Sequence, residues 1–152
     1  MKPGPIRRFA ATLLLVLAVS PLGPPGGAEE RAGGPAIGEP LTAIPGDPAR
    51  GRQVVRDTGK ATCLICHAMP IPEEPDHGTI GPPLAGVARR ATAGELRQRI
   101  VDATAINPAT VMPPYFRADR LHRVLARHRG ESIYTAQDVE DVVAYLLTLD
   151  GE

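Results

Sequence analysis

Within the stretch ATCLICHAMP, Cys63 and Cys66 are the whole cysteine content of a 152-residue chain, and His67 directly follows the second. Few structures place two thiols three residues apart with an imidazole alongside, and each makes a different demand on the rest of the sequence. Zinc needs about four protein ligands, or three and a water, and no second cysteine pair exists to complete the set. A thioredoxin-like dithiol wants its pair at the start of a helix that follows a strand, yet no strand pattern precedes Thr62. A structural disulfide over so short a loop would constrain the unfolded chain little. None of these gives His67 a purpose. Covalent attachment of a c-type haem uses all three residues: on one helical turn each sulfur forms a thioether to a vinyl group, and the next residue aims a ring nitrogen at the iron.

Haem attachment of this kind takes place outside the cytoplasm, and the first residues fit export. Lys2, Arg7 and Arg8 form a positive start, the apolar run FAATLLLVLAV is too short to span a bilayer, and PLGPPGGAEE supplies small residues before Glu29. Residues 1–28 read as a secretory signal cleaved near Ala28, with an uncleaved anchor as the alternative. Cleavage removes three cations and no anion, leaving 14 Lys and Arg against 17 Asp and Glu, a net charge of −3. That balance does not point to nucleic acid. The remaining chain has no Trp, one Phe (Phe116) and three Tyr. A core built from so few large side chains is thin, and leaves room for an apolar filler that is not an amino acid.

Hydrophobic spacing predicts helices joined by Pro/Gly loops. Residues 29–45 carry little periodicity and read as a flexible or draped leader; 46–152 form one domain. Asp47 and Pro48 open a first helix as N-cap and first residue, with Gly59 as its stop. Thr92 and Glu95 fit a capping box for a second helix to about Ala103, with Leu96, Ile100 and Val101 on its apolar face. Leu121, Val124 and Leu125 give a weaker helical pattern over 117–128. Thr135 and Asp138 cap the clearest helix, whose Val139, Val142, Val143, Leu146 and Leu147 recur at helical spacing until Gly151.

With His67 on one side of a haem iron, the other side is open or held by a second residue, and the choice sets the function. Met69 is pinned to the same side as His67. His77 lies in the Pro-rich loop PIPEEPDHG and reads as solvated, and His122 and His128 fall where surface placement is ordinary. Met112 remains, in INPATVMPPYF, where Pro108, Pro113 and Pro114 favour a stiff extended loop able to hold a thioether. The alternative for Met112 is plain core packing.

GDPARG, CLICH, GPPL, the Pro-flanked Met112 and DVEDVVAYLLTL occur in the order of a class I monohaem cytochrome c, over roughly residues 46 to 150. More narrowly, GTIGPPLAGVARR, LRQRIVDATAINPATVMPPYFR and TAQDVEDVVAYLLTL resemble the SoxX family, the small monohaem subunits of SoxAX sulfur-oxidation cytochromes. The resemblance implies an all-α class I cytochrome c fold wrapped around one covalently bound haem c, with thioethers at Cys63 and Cys66 and axial ligands His67 and Met112. It also implies that the Pro82 carbonyl accepts the His67 Nδ1–H, which makes the ring a better donor to iron, and that the first and last helices cross at Gly51 and Tyr145. The loop from Met69 to His77 is not part of the general pattern.

In that family the complex joins thiosulfate oxidatively to a cysteine of a carrier protein, SoxY, and the catalytic haem sits in the larger subunit, SoxA, with a cysteine ligand. Both cysteines of this chain are committed to thioethers. The resemblance therefore implies a periplasmic electron-transfer subunit of a heterodimeric L-cysteine S-thiosulfotransferase, itself without the catalytic cysteine. Its partners would be a monohaem or dihaem SoxA-type subunit and a soluble cytochrome c acceptor, with the carrier met only indirectly and no membrane contact after cleavage. The other readings are a free-standing cytochrome c shuttle and a haem sensor with an open distal site.

Overall fold

The computed structural model describes residues 1, 4, 35–126 and 129–151. The signal assignment to residues 1–28 falls outside the described residues save for positions 1 and 4, as do residues 29–34 of the leader and His128. By its internal contacts the chain divides into a unit Met1–Arg31 and a unit Ala32–Glu152, and the regular structure among the described residues belongs to the second. No helix of the described residues is long and apolar enough to cross a membrane.

The second unit is all-α. Helix α1 spans Pro48–Val54, α2 spans Ala93–Asp102 and α3 spans Ala136–Leu146; short 3-10 turns lie between them, and no strand occurs among the described residues. Asp47 caps α1 through its carboxylate, which accepts the N–H groups of Ala49 and Arg50. Thr92 with Glu95 and Thr135 with Asp138 both form full capping boxes. These polar caps satisfy the orphan donors of each first turn.

Helices α1 and α3 pack most closely, because glycine lets them. A Cβ on Gly51 would lie 1.9 Å from the Asp141 carbonyl oxygen and 2.8 Å from Tyr145 Cβ, and one on Gly46 would lie 2.1 Å from the Glu140 carbonyl oxygen. The core around this crossing is aliphatic, with Val55, Val139 and Val142 fully buried beside Tyr134 and Ile71.

Three boundaries differ from the sequence reading. Helix α1 ends at Val54 rather than near Gly59, because the Val55 carbonyl accepts the Cys63 N–H at 3.0 Å and the Thr62 hydroxyl at 2.6 Å. Helix α3 stops at Leu146, where the Thr148 hydroxyl takes the Tyr145 carbonyl and the Leu149 carbonyl turns back to accept the Ala88 N–H. Over 117–126 there is no α-helix: one 3-10 turn at Ala118–Arg120 gives way to extended Leu121 and to Arg123 at φ 59°. Leu121 and Val124 are only half-buried, and Leu125 is left 59% exposed. Arg117 and Arg120 are instead drawn toward the buried Asp102 carboxylate.

Residues 35–45 of the leader drape over α2 and α3. Ile37 donates to the Gly94 carbonyl and accepts from Arg97 at 2.7 Å, and Leu41 N–H reaches Glu140 Oε1 at 2.9 Å. Arg97 and Glu140 form a two-pronged ion pair at 2.7 and 2.8 Å, with only 5% and 6% of the side chains exposed. The Arg97 hydrogen bond foremost holds the Glu140 carboxyl below its ordinary value of 4.5, against the effect of burial. A depressed carboxylate contributes stability that is complete above its unfolded value and is lost as the pH falls through its folded one. Glu140→Gln leaves a buried guanidinium unpaired, at an expected cost of about 3–5 kcal/mol near neutral pH. Thermal melts across the acid range should show a lower midpoint and a shallower acid limb below about pH 4.5; an unchanged acid limb would mean that another carboxylate governs it.

Candidate haem-binding site

The motif turn is shaped before any cofactor enters. Thr62 caps a 3-10 turn over Cys63–Ile65 by accepting the Leu64 N–H on its hydroxyl, and the Cys66 and His67 N–H groups both close on the Cys63 carbonyl. The two thiols and the imidazole therefore occupy one turn, half-buried. Cys63 Sγ lies 3.8 Å from the Tyr134 hydroxyl, and burial pushes its free thiol up to about 11. Before attachment that sulfur is neutral.

The 78–84 segment returns to the motif and runs beside it in the same direction. The N–H groups of Gly78, Gly81 and Leu84 bond to the carbonyls of Leu64, Cys66 and Ala68 at 2.7–2.9 Å. This ladder brings the Pro82 carbonyl to 2.7 Å from His67 Nδ1, whose N–H donates to it. With Nδ1 so committed, Nε2 is the nitrogen free to bind a metal. Closeness here demands glycine: a Cβ on Gly81 would lie 2.2 Å from His67 Cε1, and one on Gly78 would lie 1.8 Å from the Ile65 carbonyl oxygen.

Met112 reaches the same space from the loop that follows α2. Asn107 starts that loop by accepting the Thr110 and Ala109 N–H groups, and the Thr110 hydroxyl accepts the Met112 N–H at 3.2 Å. Tyr115 pins its far end, with its N–H on the Ile100 carbonyl and its own carbonyl taking the Tyr134 N–H. The two tyrosine rings lie 4.6 Å apart between centroids. Burial first, then the neighbouring Cys63, raise both phenols well above their ordinary value, so both stay neutral.

Cys63, Cys66, His67 and Met112 all line one cavity of about 470 Å³, walled otherwise mostly by apolar residues of α2, α3 and the 80–91 segment. The fit to a haem is specific. Both thiols and the imidazole come from one turn, a cradle without Cβ atoms lies against the imidazole, and a thioether side chain shares the space. A helical shell with a Cys-x-x-Cys-His turn, an oriented histidine and a methionine on a proline-bounded loop defines a class I cytochrome c.

The cytochrome c family model matches residues 48–150. Among solved structures, SoxXA from P. pantotrophus is 32% identical with a TM-score of 0.69, the match covering 76% of this chain and 90% of that one. No curated protein matches the sequence. The chain belongs to the cytochrome c family, within which it is a SoxX-type cytochrome carrying a covalently bound haem c.

Two histidine placements refine the sequence reading. His77 is half-exposed with its ring turned inward: its Nδ1 accepts the Met69 N–H at 3.3 Å, and its Nε2 is buried without a partner among the described residues. The Met69–His77 loop is fixed to α1 and its following residues by Arg52 on Glu73 and Arg56 on Glu74, while Met69 and Ile71 enter the core. His122 is exposed and lines a separate surface hollow. Sequence reasoning missed Gly78 and Gly81 as site residues. Gly81 stood in the motif GPPL, but only a backbone path shows what its missing Cβ makes room for.

Proposed function

We propose that this protein is the small, electron-accepting subunit of a periplasmic thiosulfate-oxidising complex. In this reading residues 1–28 are a cleaved signal, 29–45 a leader and 46–152 the cytochrome domain. Cys63 and Cys66 would carry the thioethers, and His67 and Met112, which line the same cavity, would hold the iron. Bound there, the haem supplies one-electron exchange between ferric and ferrous iron. The Pro82 carbonyl fixes the His67 tautomer and strengthens it as a donor, and Met112 favours the ferrous state and keeps small ligands away.

The single observation that carries the assignment is the 32% identity to SoxXA over 90% of that chain, a match well beyond what the five-residue motif alone would give. Joining thiosulfate to a carrier thiol forms one S–S bond and releases the thiol proton and two electrons. This chain, with no cysteine beyond its two anchors, has no thiol to take part in the bond-forming step. Its share is the electrons, which it passes singly to an acceptor such as a soluble cytochrome c. Support for a SoxA-type partner comes also from three aliphatic residues at the site: Ile65 in the motif turn is 63% exposed, and Ile80 and Val111 on the cavity wall are 67% and 78% exposed. Apolar side chains gathered at a cofactor edge suit a docking face.

The test is reconstitution. Co-produced with a SoxA-type subunit, the chain should co-purify through an interface above about 1,000 Å², and its haem should be reduced when carrier and thiosulfate are added. Alone it should form no carrier conjugate. Conjugation by this chain alone would overturn the division of labour, and failure to associate would favour a free-standing shuttle.

A further inference from the structure

The positive charge of this chain is concentrated on one segment. Residues 117–129 hold five arginines against a single acid, Asp119, a net of +4. The rest of the chain beyond residue 28 carries nine Lys and Arg against 16 Asp and Glu, a net of −7. The segment springs from the wall of the haem cavity at both ends: Tyr115 and Tyr134, which line that cavity, are tied by the Tyr134 N–H on the Tyr115 carbonyl at 2.9 Å. Arg120 Nε, 3.5 Å from the Asp102 carboxylate, holds it against the end of α2, next to Ala103 of the same wall.

Two of its arginines are left over. Arg117 grips Asp119 with two nitrogens and Arg120 faces Asp102, but Arg123 and Arg129 have no carboxylate partner among the described residues. Both are exposed, and with Leu121, His122 and Val124 they line one surface hollow of about 340 Å³. Leu125, between them in sequence, is 59% exposed. Solvated guanidinium groups hold a small oxyanion weakly, because nothing around them excludes water. An extended anionic surface such as a bilayer would meet the negative charge of the remaining chain as well. A protein face of limited area, with carboxylates around an apolar centre, matches arginines set among leucine and valine.

We infer that this arginine-rich loop is the docking surface for the transient electron acceptor, and that the acceptor presents an acidic face. The inference rests on the electron-transfer reading above and names the chemistry of its second partner. A stable subunit is held by buried apolar area, which Ile65, Ile80 and Val111 offer. An acceptor that must leave after each electron is better served by charge, which speeds encounter more than it tightens the complex. On each encounter one electron passes from the ferrous haem to the acceptor's oxidised centre, leaving the haem ferric.

The experiment mixes reduced holoprotein, alone and with a SoxA-type subunit, with the oxidised form of an acidic soluble c-type cytochrome of higher potential, and reads the second-order rate by stopped flow. Both proteins are net negative, so repulsion between whole molecules would make the rate rise with added salt. Docking on the loop makes it fall. At low ionic strength Arg123→Gln and Arg129→Gln should each lower the rate about threefold and the double variant about tenfold, with the differences gone at ~0.5 M salt. The double lysine variant keeps the charge and should stay within about twofold of the parent. The absorption spectrum, the reduction potential and association with the SoxA-type subunit should be unchanged throughout. A rate that rises with salt in the unsubstituted protein, or a double glutamine variant as fast as the parent, would overturn the inference. So would loss of SoxA-type association in that variant, which would give the loop to the stable interface, or binding to anionic phospholipid vesicles that the same substitutions abolish. If the unsubstituted chain never associates with a SoxA-type subunit yet keeps the falling salt dependence, the subunit assignment fails and the docking surface stands.

Discussion

Replacing both Cys63 and Cys66 with alanine is expected to give a chain that retains no haem under denaturing conditions and that unfolds without a cooperative transition. The two residues are the whole thiol supply, sit on one preformed turn and line the cavity. The energetic consequence reaches beyond the cofactor. At about 24 cal/mol per Å³, emptying a dry cavity of about 470 Å³ would cost on the order of 10 kcal/mol. This cavity opens to solvent and water would enter, so that figure is an upper bound, yet it is comparable with the roughly 5–15 kcal/mol that stabilises a whole domain. Haem staining after denaturing electrophoresis and a circular dichroism melt check the two halves of the expectation. A doubly substituted chain that melts as the parent does would show that the fold does not lean on its cofactor. Each single variant should keep its haem through the remaining thioether.

The second large effect is expected at Met112. Met112→Ala should convert a low-spin, six-coordinate iron to one with an open or water-held position, abolish the weak near-infrared band of methionine ligation, and lower the reduced-to-oxidised ratio at a fixed potential by about tenfold or more. Because Met112 is only half-buried on a loop tied down by Asn107, Thr110 and Tyr115, the backbone should survive the change. Carbon monoxide binding to the reduced variant gives an independent reading of the opened site. If the unsubstituted protein lacks the near-infrared band, or the variant keeps it, the ligand lies elsewhere.

The sequence by itself determined those features whose physics is local. Capping needs only a hydroxyl and a carboxylate three residues apart, so Thr92 with Glu95 and Thr135 with Asp138 marked the starts of α2 and α3. Attachment chemistry needs only Cys-x-x-Cys-His, and the helix-crossing role of Gly51 followed from the family resemblance. What the tertiary structure decided depends on groups distant in the chain. Helix α1 ends where it does because the Val55 carbonyl serves the motif turn, and over 117–126 a 3-10 turn and extended backbone replace a helix while Arg117 and Arg120 face the distant Asp102. The draped leader exists through a buried Arg97–Glu140 pair whose members are 43 positions apart, and the His77 ring turns inward where its loop is fastened to α1 and the residues just after it. Gly81 gains its meaning from the space beside His67 that a Cβ would fill, and only the folded chain defines that space.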